Sequence, residues 1–452
     1  MTEAELIARY DGRVPRYTSY PTAPNFQSGF SPVRYGDWLE ALPDDKPLSL
    51  YLHVPFCERL CLYCGCNTQV VRNEGPRITY AELMISELEQ VAFAIGRRLP
   101  VSHIHWGGGT PTTMPAKWLL RIMERVRRLF DVLPDAEIAI ELDPTNLDAD
   151  RLAALWQMGV NRASLGVQDF NEDVQEAIGR PQSFEITESC AQRLRGVGIN
   201  AINLDLIYGL PLQTVESVVR TAEQALELDE DRIAVFGYAH VPWMKRHQQL
   251  IRPETLPDAQ ARFAQRRVIG EVLEHAGYVA IGLDHYARPD DPMAKAAQAQ
   301  SLHRSFQGYT TDSASALIGI GASSIGTMPQ GYVQNASTVP EYAKAIRSTQ
   351  FAVTRGYALQ PDDELRRAVI EQIMCHLYVD LHEVAAAYGQ VADDLLADAR
   401  ALEVFVEDGL VTRQGAQITV TEAGRPFVRN VAAVFDAYLK VASEQMRHSQ
   451  AV

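Results

Sequence analysis

From Leu48 onward the sequence alternates, six times in succession, a short apolar strand pattern with an amphipathic helical one. No other feature constrains the fold as strongly, because parallel strands need long helical crossovers between them. The candidate strands cover residues 48–54, 103–106, 137–142, 162–167, 202–207 and 232–238. Amphipathic stretches between them cover 118–130, 150–158, 173–197 and 215–228. A closed eight-stranded barrel needs two further units. Six predict an α/β fold: a partial (β/α)6 TIM-like barrel, open on one side, with an N-terminal arm and a mainly helical C-terminal domain. The expected divisions are an arm over 1–36, the barrel over 37–278, a substrate-covering region over 279–357 and the last domain over 358–452.

The flanking regions lack this alternation. Residues 1–36 show little periodicity and read as an arm lying on the main domain. The region 279–357 holds glycine-rich turns, Gly319-Ile320-Gly321-Ala322 and then Gly326, where backbone can approach a ligand closely. From Pro361 the chain reads mainly helical and ends in a winged-helix-like pattern: a helix over 395–408, a strand after Gly409, a second strand over 418–421 and a last helix. Winged helices often bind DNA, but a net charge of −15 repels phosphate backbones and anionic lipid. A packing role is therefore expected, with neither nucleic acid nor membrane as partner. No apolar run reaches the ~18–20 residues of a membrane span, and residues 1–20 hold no apolar leader core. A cytoplasmic location follows as an expectation. With no long heptad or apolar seam, a monomer is expected.

Four of the six cysteines fall between positions 57 and 66. Such clustering reads as metal or redox chemistry rather than a disulfide framework. Cys190 and Cys375 stand alone in helical stretches and read as buried thiols. The loop Cys57-x₃-Cys61-x₂-Cys64 directly follows the first strand. Three thiolates can hold three irons of a [4Fe–4S] cubane and leave the fourth without a protein ligand. That iron can chelate the amino and carboxylate groups of S-adenosylmethionine (SAM), whose reductive cleavage releases a 5′-deoxyadenosyl radical for the protein to orient. The alternative is a structural zinc site on Cys57, Cys61, Cys64 and Cys66. Zinc sites usually use two separated CxxC pairs or add histidines, and no second pair exists here.

At this loop the chain resembles the radical SAM superfamily and, within it, the oxygen-independent coproporphyrinogen III oxidase family. The resemblance covers nearly the whole chain. It rests on Pro15-Arg-Tyr-Thr-Ser-Tyr-Pro21, Cys64-Gly-Cys66-Asn67, His105-Trp-Gly-Gly-Gly-Thr-Pro111, Gly166-Val-Gln-Asp-Phe170 and Asp205-Leu-Ile-Tyr-Gly-Leu-Pro211. It continues through Tyr238-Ala-His-Val-Pro242, Asp284-His-Tyr-Ala-Arg-Pro-Asp290 and Leu302-His-Arg-Ser-Phe-Gln-Gly-Tyr-Thr-Thr311. The cysteine loop points to the superfamily alone, and the later segments narrow it. A haem-trafficking relative tends to lack Cys66 and the 302–311 segment, and both are present. A radical SAM methyltransferase that opens haem and a zinc-stabilised binding protein are the remaining rivals.

The SAM pocket is expected around the glycine turn, where Gly108, Gly109 and Thr110 offer backbone and a hydroxyl. Glu141 and Asp205 sit near strand ends at the barrel mouth. The resemblance implies SAM contacts for both, for Gln168, and for Arg180 on the next helix, whose guanidinium suits a carboxylate. It also implies contacts from Tyr51, Tyr63, Ala239 and Ile325, and a second SAM in the same pocket. Tyr51 and His53 share one face of the first strand, and an aromatic ring near a sulfonium is favourable; the resemblance makes Tyr51 the catalytic candidate as well. The implied reaction converts two propionates of coproporphyrinogen III into vinyl groups, giving protoporphyrinogen IX. An unidentified electron donor and acceptor would take part. A tetracarboxylate needs cationic groups around an apolar slot. The candidates are Arg16, Tyr17, Arg288, His303, Arg304, Gln307 and Tyr309, with Lys245 and Arg246 weaker. Ser305 stands where the family commonly has asparagine.

Overall fold

A computed structural model describes residues 1–439. Residues 440–452 of the expected C-terminal domain lie outside the described residues. The six expected strands form as β1 (Leu48–Val54), β2 (Pro100–Gly108), β3 (Asp131–Leu142), β4 (Arg162–Gln168), β5 (Ala201–Tyr208) and β6 (Arg232–Gly237). Neighbouring members all pair in parallel. Both faces of β1 are covered, as parallel sheets require. Leu48, Leu50, Leu52 and Val54 are fully buried in the main core, while Tyr51 and His53 line a cavity on the opposite side. Each such leucine contributes roughly 1.5–3 kcal/mol over exposure.

The crossover helices are α1 (Glu74–Ile95), α2 (Ala116–Leu129), α3 (Ala149–Met158), α4 (Glu172–Ala177), α5 (Phe184–Gly196) and α6 (Val215–Glu227). Leu88, Ile122, Leu155 and Leu194 bury against the sheet from this layer. The single helix expected over 173–197 is two, α4 and α5. Gly179 takes φ +66°, and Pro181 cannot continue a hydrogen-bonded turn. Arg180 therefore sits in a connection rather than on a helix, and its side chain reaches the cysteine loop.

The side expected to stay open is not bare. After α7 (Ala259–His275) come β7 (Val279–Ile281) and β8 (His285–Ala287), then β9 (Ala316–Ile320), β10 (Ile325–Met328), β11 (Gly331–Asn335) and β12 (Val353–Ala358). Strand β9 pairs in parallel with β1, and β10–β12 continue antiparallel. The spatial order is β12–β11–β10–β9–β1–β2–β3–β4–β5–β6–β8–β7. Much of region 279–357 thus extends the sheet on both edges instead of only covering it. Short strands joined by tight turns carry no long periodic signal.

The arm also differs from expectation. Thr2 and Glu5 form a capping box that starts a helix over Glu3–Tyr10. Helix α8 (Val339–Arg347) is followed by α9 (Pro361–His376), and Ile7, Tyr10, Tyr17 and Tyr20 bury in the core of the last domain with Val369 and Ile373 of α9. Tyr10 stacks on Phe405 at 4.8 Å. Gln27–Ser28 then pairs with β12, so the arm ties the last domain to the sheet edge. In the last domain, Tyr378–Asp380, Val411–Gln414 and Gln417–Val420 form a small antiparallel sheet. The helix expected over 395–408 is broken into three short turns of helix. Cys190 and Cys375 are buried free thiols, and burial pushes Cys190 up to about 12.

Glu87 on α1 links the barrel to the added strands. Its carboxylate accepts from Tyr342 Oη at 2.6 Å, Asn335 Nδ2 at 2.6 Å and Gly321 N–H at 2.7 Å. Burial outweighs these donors and raises its pKa to about 7. The native state therefore holds a proton that the unfolded chain releases at the ordinary carboxylate value. The stabilisation is complete below that value and is lost as pH rises to about 7. The melting temperature of the wild type relative to Glu87→Gln should fall between about pH 5 and about pH 8. A difference independent of pH in thermal scans would contradict this assignment.

Candidate active site

Strand β1 ends where the cysteine loop begins, and β2 ends beside it in the glycine turn. Two backbone bonds join them: Gly109 N–H to Val54 O and Thr110 N–H to Phe56 O, both 2.8 Å. A Cβ on Gly109 would meet Phe56 O at 2.6 Å and Cys57 Sγ at 3.0 Å, so only glycine fits. Gly108 takes φ +115° with His53 against it. The Thr110 hydroxyl lies 4.0 Å from Cys57 Sγ. From the other side, His247 Nε2 meets Cys64 O at 2.7 Å, Gln248 Nε2 donates to Tyr63 O at 2.8 Å and Lys245 Nζ donates to Cys66 O at 2.8 Å. The loop is thus held along its backbone, leaving the thiols directed into a cavity.

That cavity, of about 500 Å³, is lined by Cys57, Cys61 and Cys64 together with Tyr63, Gly108, Gly109, Thr110, Glu141, Gln168, Arg180, Asp205 and Ala239. Of the expected SAM residues only Tyr51 and Ile325 are missing from it. They line an adjoining lobe of about 270 Å³ that shares Cys66, Gly108 and Glu141 with the first. Arg180 donates to Gly166 O at 2.7 Å, and its Nη1 lies 3.5 Å from Cys61 Sγ and 3.4 Å from Asp143. Although burial opposes its charge, Tyr63, Asp143 and Cys61 raise its pKa. Gln168 adopts φ +72° at a register shift in β4. Glu141 accepts from Gly108 N–H at 3.0 Å and contacts His105 Nε2 at 3.1 Å. Against burial, His105 and Gly108 keep its carboxyl below the ordinary range. Burial pushes Asp205 up to about 6, although Ser164 and Asn203 donate to it at 2.9 and 2.8 Å. Tyr51 bonds His53 Nδ1 at 3.0 Å and stacks on His105.

The donor set fits a three-cysteine cluster. Burial and the neighbouring Cys64 raise the Cys57 thiol to about 11, while hydrogen bonds from Cys66 lower Cys64 to about 6. Thiols near a fixed guanidinium, beside a glycine backbone with no room for a side chain, suit thiolate ligation. Among the described residues no group of three Cys, His, Asp or Glu side chains is arranged to hold a single metal ion. A cubane makes no such demand, since each thiolate binds a different iron.

The substrate candidates divide. Arg16 lines the cluster cavity and a neighbouring basin. Tyr17, His303, Arg304 and Gln307 line a separate recess of about 230 Å³, and Gln307 also borders the Tyr51 lobe. The Tyr17 hydroxyl donates to Asp436 at 3.0 Å. Tyr309 is buried, donates to Met374 O at 2.8 Å and carries Arg304 over its ring at 4.3 Å. It positions Arg304. Arg288 is not brought to the site. It bonds Asp229 and Glu230 O, and its N–H donates to Asp231 O, at the start of β6. The cavity opens at the other end of that strand, at Gly237. Ser305 accepts from Gln307 N–H at 3.2 Å within a hairpin. Lys245 braces the cysteine loop.

Sequence reasoning missed His105 and Gln248 as supports, and it missed the basin arginines Arg262, Arg266 and Arg429. His105 lies two residues before the glycine turn and faces Tyr51 across the strand pair, so its position was readable. Arginines on an amphipathic helix such as α7 look like a solvated face.

A fold of six parallel βα units with three cysteines after its first strand defines a radical SAM enzyme. The family model for the radical SAM superfamily matches residues 51–225, and that for the HemN C-terminal domain matches residues 359–427. The oxygen-independent coproporphyrinogen III oxidase of Bradyrhizobium diazoefficiens is 49% identical over 450 residues, covering 99% of this chain and 100% of that protein. That of Paracoccus denitrificans is 40% identical over 451 residues, covering 100% and 99%. The solved structure of coproporphyrinogen III oxidase (HemN) from Escherichia coli, a radical SAM enzyme, aligns with TM-score 0.91 and 38% identity over 97% of this chain and 99% of that one. The chain belongs to the oxygen-independent coproporphyrinogen III oxidase family. No helix among the described residues is long and apolar enough to cross a membrane.

In Cys61→Ser, iron and sulfide after anaerobic reconstitution should drop from roughly four of each per chain to background. Full retention of both would remove Cys61 from the ligand set.

Proposed function

We propose that this chain catalyses the oxygen-independent oxidation of coproporphyrinogen III to protoporphyrinogen IX, a step of haem biosynthesis. The end-to-end correspondence with relatives of that name, over 97–100% of both chains, carries the reading. Cys57, Cys61 and Cys64 would hold the cluster, and the residues around them would hold SAM. When bound, these cofactors supply a 5′-deoxyadenosyl radical that takes a hydrogen atom from a propionate β-carbon, after which CO₂ and one electron leave and a vinyl group remains.

The chain's own part is binding, orientation and exclusion of water. Glu141 and Asp205 offer carboxylate oxygens to ammonium or ribose hydroxyl groups, and Arg180 offers a guanidinium both to a ligand carboxylate and to Cys61. Tyr51, kept neutral by burial and the nearby Glu141 charge, presents its ring to a sulfonium. Gly108 and Gly109 allow close backbone approach. The two lobes that meet at Cys66, Gly108 and Glu141 support a pair of SAM molecules, one beside the cysteines and one toward Tyr51 and Ile325. Arg16 at the cavity rim, with His303, Arg304 and Gln307 in the nearby recess, would meet substrate carboxylates. An electron donor and an acceptor outside the chain complete the balance.

Anaerobic incubation of the reconstituted protein with SAM, a low-potential reductant, an electron acceptor and coproporphyrinogen III tests the proposal. The expected product is lighter by two CO₂ and four hydrogen atoms, with two 5′-deoxyadenosines formed per product. SAM cleavage without any change in the tetrapyrrole would overturn the assignment.

A further inference from the structure

Beside the cluster cavity lies a second cavity of about 410 Å³ whose charge is unusual for this acidic chain. Arg13, Arg16, Arg262, Arg266 and Arg429 line it, against only two carboxylates. Asp258 accepts from Ala261 N–H at 2.8 Å, capping α7, and Asp284, which bonds His285 at 2.7 Å, also offsets part of the Arg16 charge. Arg16 donates to Gly237 O and Arg266 to Leu283 O, each at 3.0 Å, both neutral carbonyls. Arg262 is the most exceptional. Its guanidinium lies over the backbone at the ends of β5 and β6, 3.4 Å from where a Cβ of Gly209 would stand, and its Nε is buried without a hydrogen-bond partner. Burial and the nearby Arg16 and Arg304 charges lower Arg429 to about 9.

The remaining walls are apolar or aromatic, with Tyr208, Trp243 and Phe263 among them. An apolar cavity with convergent guanidinium groups suits a carboxylate borne on an apolar body. The wall between this basin and the cluster cavity is Gly237-Tyr238-Ala239, which lines both. A reacting side chain must reach into the cluster cavity, so a carboxylate across that wall cannot be the one reacting at that moment.

We propose that this basin holds the propionate carboxylates that do not react in a given turnover, with Arg262 as the principal contact. The inference rests on the tetrapyrrole reading above and adds the site that orients the disc. Protoporphyrin IX, whose two propionates survive the reaction, would use the basin as coproporphyrin III does.

The test is equilibrium binding of coproporphyrin III and of protoporphyrin IX to the anaerobic, cluster-loaded protein, followed by tetrapyrrole fluorescence. Arg262→Gln should weaken both ligands roughly ten- to hundredfold, as loss of a charge-assisted pair does. Iron content and SAM-dependent changes in the cluster spectrum should stay as in the wild type. Arg128→Gln, on the exposed face of α2, should change nothing. Arg266→Gln provides a second basin variant and should weaken both ligands less strongly. Wild-type binding by whichever basin variants retain iron would overturn the proposal. So would weakening confined to coproporphyrin III, which would place the reacting propionates in the basin. If the wild type neither binds nor converts tetrapyrrole, the functional reading itself fails. Normal wild-type turnover with unaltered basin variants rejects this inference alone.

Discussion

The site depends on a backbone clamp between two strand ends. Val54 and Phe56 each give a carbonyl to the turn that follows β2, and the absence of a side chain at Gly109 lets that turn lie against Cys57. Parallel pairing of β1 with β2 brings the two ends to the same level. Close packing here leaves no slack, so the spacing of Cys57, Cys61 and Cys64 is set by main chain rather than by side-chain preference. Everything chemical is arranged around that fixed loop: Arg180 from the break between α4 and α5, Glu141 from β3, Asp205 from β5.

A second consequence concerns charge. Three cysteines ligating as thiolates would repel one another, and the chain as a whole carries −15. Positive charge is found on Arg180 beside Cys61 and on the five arginines that line the basin beyond Gly237. Local positive charge of this kind is compatible with an acidic chain because buried charges are screened far less than exposed ones.

Much of this was legible in the sequence, for definite reasons. Alternation of period two in β1 separated Leu50 and Leu52 from Tyr51 and His53, and the structure puts those sets on opposite faces. Strand-end carboxylates were readable as Glu141 and Asp205, since parallel strands aim their C-terminal ends at one mouth. The strands over 316–358 were not readable, being four short segments with glycines and tight turns. The arm misled because its helix is one short amphipathic piece whose partner, Phe405, lies far along the chain. Arg288 misled because its acidic neighbours, Asp229 and Glu230, are distant in sequence. Arg262 was invisible because arginines on an amphipathic helix are usually solvated.

The central claim is that three cysteines leave one iron of the cluster open to SAM. It is tested most directly by electron paramagnetic resonance of the reduced cluster with and without SAM. The account predicts a signal whose g-values shift when SAM is added. A signal unchanged at saturating SAM would mean a fully ligated cluster and would contradict it.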